Sequence, residues 1–312
     1  MLEKIYCVLV TALLMILSVF SSLKAQSAED VYRTETFSTS GSPAVDISTS
    51  GGSVNVTGHD KNEVHIEMFV RRGRQYLSPS NTDLSDFDIS IYQDGNRIIA
   101  SAKRENSGWL GRLRSNNNIS VSFRVYAPHA SVVEGRTSGG SVSGENFTNQ
   151  LKLRTSGGSV TAKNIEGIAE LRTSGGSVSI SDLHGQVEAR TSGGSIRVEN
   201  VTGEANLHTS GGSIRLNNIS AKVSARTSGG GIRANLTELV NDVELRTSGG
   251  SIHIDMPEIS NFNLDLTGQR VHTELRNFTG QSERRTVKGR MGEGGPLVMA
   301  RTSGGSVRLS YY

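Results

Sequence analysis

Apolar and polar residues alternate along most of this chain, and Ser-Gly-Gly-Ser cuts the alternation at regular intervals. In residues 151–167, Leu151, Leu153 and Thr155 alternate with Lys152, Arg154 and Ser156. That period of two predicts a strand with one face turned inward. Gly157 and Gly158 end it, and they are expected to supply backbone conformations that residues with a Cβ resist. A second short strand follows, with Val160 and Ala162 inward and Thr161 and Lys163 outward; Asn164 and Gly167 bracket Ile165 at the next bend. The inward positions recur one coil later as Leu171, Thr173, Val178, Ile180 and Leu183. They return again as Val187, Ala189, Thr191, Ile196, Val198 and Val201.

The unit repeats with a fixed period. Copies of Arg-Thr-Ser-Gly-Gly begin at Arg136, Arg154, Arg172 and Arg190, then at His208 and Arg226, each eighteen residues after the last. Another follows at Arg246 after a two-residue insertion, with outliers at Ser48 and Arg301 and a worn copy at 265–271. A fixed short period means one supersecondary unit stacked on itself. The fold class this predicts is all-β: a single-domain β-solenoid (parallel β-helix) of about 18-residue coils with loop excursions, stacked about 4.8 Å apart. Each coil buries a few medium aliphatics, and Phe147 is the only aromatic ring of Phe, Tyr or Trp between Glu134 and Met256.

Outside the regular coils, residues 26–133 read as N-terminal coils interrupted by two polar excursions, 71–86 and 103–118. Residues 134–258 are the regular solenoid. Residues 259–312 are degenerate coils, with 297–310 closing the stack. A division into two domains near Glu134 is the alternative reading.

Composition sharpens this picture in two places. The 36 glycines accompany only 5 prolines, whereas disordered low-complexity chains usually raise both, and here glycine is locked to the period. Formal net charge is +3, too small to demand a nucleic-acid partner. Residues 1–25 read as a secretory signal: Lys4, an apolar stretch over 5–20, then small residues to Ala25, with cleavage expected before Gln26. The apolar run is short for a membrane span, and an uncleaved anchor is the alternative. Cleavage would leave no integral membrane protein and would remove Cys7, the only cysteine. Disulfides, cysteine catalysis and cysteine-ligated metal go with it. The expected location is exported: periplasm, outer cell surface or extracellular.

Candidate chemistry is sparse. Arg136, Arg154, Arg172, Arg190, Arg226 and Arg246, with His208 among them, should project outward as a basic column that attracts anions. Glu170, Glu188 and Glu244 each precede a column arginine by two residues and could neutralise it laterally. The excursions gather a second set: Arg72, Arg74 and Tyr76 in one, with Arg104, Trp109, Arg112 and Arg114 in the other. Trp and Arg together suit sugars or acidic groups; the same residues could instead cap the open end of the stack. Thr155, Thr173 and Thr191 share parity with the buried leucines, which argues against an ice-ordering surface. Asp83, Asp86 and Asp88 lack the glycine-bearing calcium-loop pattern, His253 and Asp255 are strand neighbours, and Ser-Gly-Gly-Ser lacks the lysine and helix of a phosphate loop. No catalytic residue, metal ligand or cofactor is assigned.

The chain resembles a bacterial adhesin-type β-strand-repeat family, a domain of unknown function. The resemblance rests on the signal-like start, the early Ser-Gly-Gly-Ser-Val-Asn-Val at 50–56, the long strand at 119–128 and the closing Thr-Ser-Gly-Gly-Ser-Val-Arg-Leu at 302–309. It implies an exported β-helix and carries no catalytic residues. The expected function is a non-enzymatic adhesin or a surface or periplasmic binding scaffold, with an acidic glycan, lipopolysaccharide or an envelope protein as partner. A structural or envelope-stress scaffold for a protein partner is the second expectation, and a polysaccharide-active β-helix enzyme the third.

Overall fold

The computed structural model describes residues 31–104 and 119–312. Its 24 strands join one continuous hydrogen-bonded sheet, and the only helical piece among the described residues is a 3-10 turn at Pro79–Asn81. In the regular part, Val160–Arg172, Val178–Thr191, Ile196–Thr209 and Ile214–Thr227 each run around most of one coil. Successive coils pair in parallel eighteen residues apart, Val160 on Val178, Val178 on Ile196 and Ile196 on Ile214. The chain is therefore a parallel β-solenoid, as its period requires.

Inward residues are those the alternation selects. Val160, Ala162, Ile165, Ala169 and Leu171 are fully buried, and the same positions are buried one and two coils on. Each fully buried Val, Leu or Ile contributes about 1.5–3 kcal/mol. A coil has only a handful of them, so no coil stands without its neighbours. The coil bends without breaking its strand at Asn164 (φ 51°) and Gly167 (φ 137°). Asn146, Asp182, Asn200 and Asn218 adopt the same left-handed conformation in neighbouring coils, which short polar side chains tolerate best. Their side chains form a ladder between coils, Asn164 Nδ2 donating to Asn146 Oδ1 at 2.8 Å and Asn200 Nδ2 to Asp182 Oδ1 at 2.7 Å.

The Thr-Ser-Gly-Gly turn corrects one expectation. Neither Gly157 nor Gly158 has a left-handed φ; what excludes side chains here is the approach of the next coil. A Cβ on Gly158 would sit 2.1 Å from the Gly140 carbonyl oxygen, whereas one on Gly157 would meet its nearest atom, the Gly139 oxygen, at 3.4 Å. The second glycine of each pair is the indispensable one. The preceding threonine is buried as its parity predicts. Thr173 Oγ1 donates to the Gly158 carbonyl at 2.8 Å and accepts from Gly176 N at 3.3 Å, tying one coil to the one above. Thr155, Thr191 and Thr209 repeat the bond upward.

Both ends of the stack depart from sequence order. At the N-terminal end, Ala44–Thr49 lies between Val132–Thr137 on one side and the later strand Arg97–Arg104 on the other. Val54–His59 likewise lies between Val142–Phe147 and Ile119–Pro128. Antiparallel strands cover that outer coil: Glu63–Arg72 pairs with Ile119–Pro128, Arg33–Ser38 pairs with Glu63–Arg72, and Phe87–Asp94 pairs with Arg97–Arg104. The two excursions begin later than expected, because Arg71 and Arg72 belong to one of these strands and Lys103 and Arg104 to another.

The C-terminal end holds a similar rearrangement. The closing repeat does not close the stack. Leu297–Thr302 is inserted between Val243–Thr247 and the worn copy, Phe262–Thr267. Phe262–Thr267 is then covered by antiparallel Thr286–Met291 and Phe278–Ser282. A parallel coil at an open end leaves a row of backbone donors and acceptors that invites another strand, and antiparallel cover removes it.

Candidate functional site

The feature with most surface chemistry is a groove beside the turns. The strand ending each coil places its last arginine in register with the next, giving the continuous column Arg136, Arg154, Arg172, Arg190, His208, Arg226, Arg246 and Arg301. Between this column and the exposed turn serines lies an open groove of about 770 Å³, running from Ser48 and Lys103 to His208 and Ser210. A second stretch of about 400 Å³ continues it from Arg226 to Arg301. Ser138, Ser156, Ser174 and Ser192 line its far side. At about 4.8 Å per coil, the column spans seven steps, or about 34 Å.

The column arginines are half-exposed and largely paired. Glu188 Oε1 takes Arg172 Nη2 and Arg190 Nε at 2.8 Å each, and Glu244 holds Arg246 at 2.6 Å and Arg226 at 3.8 Å. Glu134 pairs with Arg136, Glu170 lies 4.0 Å from Arg154, and Arg301 binds Asp265 at 2.6 Å. Burial pushes the Glu134 carboxyl up. The hydrogen bond from Arg136 and the charges of Arg136, Lys152 and Arg154 outweigh it and hold that carboxyl below its ordinary value. The hydrogen bond to Glu134 raises the Arg136 guanidinium in turn. The pairing with the arginine two residues later is present for Glu188 and Glu244, whereas Glu170 turns to Arg154 of the preceding coil and leaves Arg172 to Glu188. Each guanidinium offers five N–H donors, and a carboxylate shared between two coils occupies only some of them.

Lys103 lines one end of this groove, and the described residues that flank the two N-terminal excursions are paired in the capping strands. Arg72 stands opposite Ile119, where the second excursion rejoins the sheet, and Arg104, where it leaves, stands opposite Phe87. Tyr76 is 39% exposed, lies edge-on to Phe69 at 6.0 Å and receives the Arg71 guanidinium at 4.7 Å from its ring centre. Arg72 and Arg74 are exposed around the tight turn at Gly73. The Arg104 guanidinium lies 5.2 Å from the Phe87 ring, and its backbone N–H donates to Ser50 Oγ at 2.9 Å. Trp109, Arg112 and Arg114, and the signal segment, lie outside the described residues. Asp83 accepts from Ser85 N at 2.9 Å, which lowers its pKa, and His253 lies 3.8 Å from Asp255 on one strand.

Two further features were missed in the sequence. One is a cleft of about 730 Å³ at the C-terminal end, lined by Glu258, His272, Glu274, Arg276, Arg308 and Tyr311. Arg276 is paired with both Glu258 and Glu274, and burial raises the Tyr311 hydroxyl. The other is a second basic column on the strand that leaves the turn: Arg197, Arg215, Arg233, His253 and Arg308 in successive register. Its signal was a basic residue two places after the turn serine, or after the glycine that replaces it at 231, in Ser-Ile-Arg, Gly-Ile-Arg, Ser-Ile-His and Ser-Val-Arg. The corresponding places one and two coils earlier hold Ser179 and Thr161.

Fold and groove together define a repeat-built parallel β-solenoid with antiparallel caps and a polar, arginine-edged flank. The chain belongs to the Toastrack DUF4097 family, whose model matches residues 22–310. No curated protein matches it. Among solved structures it is similar to a "putative lipid binding protein" from Parabacteroides distasonis, at 12% identity and a TM-score of 0.46, over 89% of this chain and 96% of that one. It is also similar to a "putative adhesin" from Bacteroides fragilis, at 12% identity and a TM-score of 0.36, over 89% and 96%. A third is a "putative cell adhesion protein" from Clostridium sporogenes, at 11% identity and a TM-score of 0.21, over 90% and 99%.

Proposed function

We propose that the chain is an exported, non-enzymatic binding scaffold that holds an extended acidic or phosphate-bearing glycan, such as the saccharide of lipopolysaccharide, along the arginine-edged groove. The observation that carries this reading is the groove itself, about 770 Å³ and lined at every coil by a basic side chain, a serine hydroxyl or both. Paired Arg and Glu offer donors and acceptors side by side, which suits a ligand rich in hydroxyls, and repetition makes the contact multivalent. The carboxylates are turned to arginines, Glu188 to Arg172 and Arg190, instead of converging on one open point where an acid and a base could act together. The outer strands Arg33–Ser38 and Phe87–Asp94 carry Arg33, Glu35, Asp88 and Asp94, charges that discourage strand addition by a protein partner.

The test is a glycan and lipopolysaccharide array probed with the purified chain and with Arg154→Gln/Arg190→Gln, at low and high salt. Binding selective for acidic or phosphorylated glycans and weakened about tenfold or more in the variant is expected. An array that stays silent, or a variant that binds like the wild type, overturns the groove as the site.

A further inference from the structure

The two basic columns flank the same turn but differ in one respect. Every arginine of the groove column lies within 4.0 Å of a carboxylate, while Arg197, Arg215, Arg233 and Arg308 are exposed and make no ion pair among the described residues. The cause is legible in the neighbouring positions. Two residues before the groove column stand Glu134, Glu170, Glu188 and Glu244, with Lys152, Asn206, Ser224 and Met299 at the other places. Glu188 and Glu244 each hold arginines of two coils. Two residues after the second column stand Glu199, Asn217, Asn235, Asp255 and Ser310. Glu199 reaches no arginine, and Asp255 faces His253 at 3.8 Å. Like charges directly opposite on paired strands repel, so this column is destabilising until an anion meets it.

The geometry points to a second binding site on this face: Arg197, Arg215, Arg233 and Arg308 form a linear anion track for an anionic polysaccharide. It goes beyond the groove and does not depend on it. Five residues in register give four steps of about 4.8 Å, a track of about 19 Å. The track is one residue wide. On its turn side stand serines in two linked pairs, Ser213 N donating to Ser195 Oγ at 3.2 Å and Ser306 N to Ser251 Oγ at 3.1 Å, with Gly231 between the pairs. On its other side lie Asn217, Asn235 and Ser310, with the carboxylates of Glu199 and Asp255 at the two remaining places. Cations in single file, flanked mostly by hydroxyl and amide groups, suit a chain that carries both regular charges and hydroxyls. A membrane surface would be met by a patch broad in both directions. Nucleobases would need aromatic platforms, and none of these columns carries one.

Heparin and polygalacturonate serve as probes, with dextran as the uncharged control and phosphatidylglycerol vesicles as the competing surface. The purified chain is expected to bind at least one of the two anionic polymers and not dextran, with affinity falling as salt rises. Arg197→Ser/Arg215→Ser/Arg233→Ser is expected to lose at least tenfold in affinity. Its melting temperature should not fall, because Ser179 already occupies this place one coil earlier. In the wild-type chain, the bound polymer should protect Arg197, Arg215 and Arg233 from arginine-selective labelling read by mass spectrometry, a measurement that survives even if the variant fails to fold. The inference is overturned by polymer binding that the triple variant retains or that leaves the three arginines unprotected. Binding lost equally in Arg154→Gln/Arg190→Gln overturns it too, as does binding to vesicles alone. The groove reading is judged by the array and its own variant, so either can fail without the other.

Discussion

The two glycines of one turn should respond to the same substitution with opposite signs. An alanine Cβ at Gly175 would lie 3.5 Å from the Gly157 oxygen, an ordinary contact, whereas at Gly176 it would lie 2.0 Å from the Gly158 oxygen and 2.4 Å from its carbon. Relief at Gly176 requires the coils to part by about 1 Å or more, since carbon and oxygen in contact sit well beyond 3 Å. That movement pulls on the Thr173 hydroxyl, which donates to the same Gly158 carbonyl and accepts from Gly176 N. Two hydrogen bonds at about 1 kcal/mol each, with about 1–3 kcal/mol of overpacking strain, place Gly176→Ala about 3–5 kcal/mol below the wild type. Gly175→Ala meets no clash and no left-handed φ, so it should be neutral or stabilise by about 0.4–1 kcal/mol through the unfolded chain. Urea unfolding followed by far-ultraviolet circular dichroism reads both. Equal midpoints for the two variants, or a wild-type midpoint for Gly176→Ala, would refute the steric account of the turn.

Thr191→Val keeps shape but removes a buried hydroxyl that donates to the Gly176 carbonyl at 2.7 Å and accepts from Gly194 N at 3.3 Å; a loss of about 1–3 kcal/mol is expected in the same assay, and a neutral outcome would remove the threonine column from the forces joining coils. The depressed Glu134 carboxyl makes a pH prediction. Its folded pKa lies below the unfolded one, so its contribution is complete above the ordinary carboxylate range and is lost as pH falls through the lowered folded value. Melting temperatures of Glu134→Gln and the wild type should therefore differ at neutral pH and converge in acid, and a constant gap would show that the Arg136 pair is not the cause.

The sequence reads best where one residue's environment depends on its own parity. Leu151, Leu153, Val160, Ala162 and even Thr155 face inward because alternation alone decides it, and the period of eighteen places their successors. The glycines needed more. Gly157 and Gly158 look equivalent in one dimension, and only the stacked neighbour distinguishes them. Spatial order at the ends was hidden for a related reason. The repeat identifies 301–307 and 265–271 as coils, but which lies outermost depends on the antiparallel cover at 286–291, a non-local pairing without periodicity. The groove column was visible because an arginine, or His208, opens each regular copy and an acid precedes four of its members by two residues. The Arg197 column was not, since it begins only in the fourth regular copy, after Thr161 and Ser179, and its significance lies in missing partners.

The displaced end coils also set how such a rod can vary. In a solenoid stacked in chain order, trimming from either terminus peels away the outermost coil and leaves a shorter rod. Here Val307–Tyr311 lies between Ile252–Met256 and Val271–His272, and Ala44–Thr49 lies between Val132–Thr137 and Arg97–Arg104. Cutting back the C-terminus would extract an inner layer and leave a gap beneath the cap, and cutting the N-terminus would do the same once past the edge strand Arg33–Ser38, so erosion cannot proceed coil by coil. Length can change cleanly only through whole eighteen-residue units gained or lost in the middle, where each would lengthen the groove by one arginine and one serine and leave both latched ends untouched.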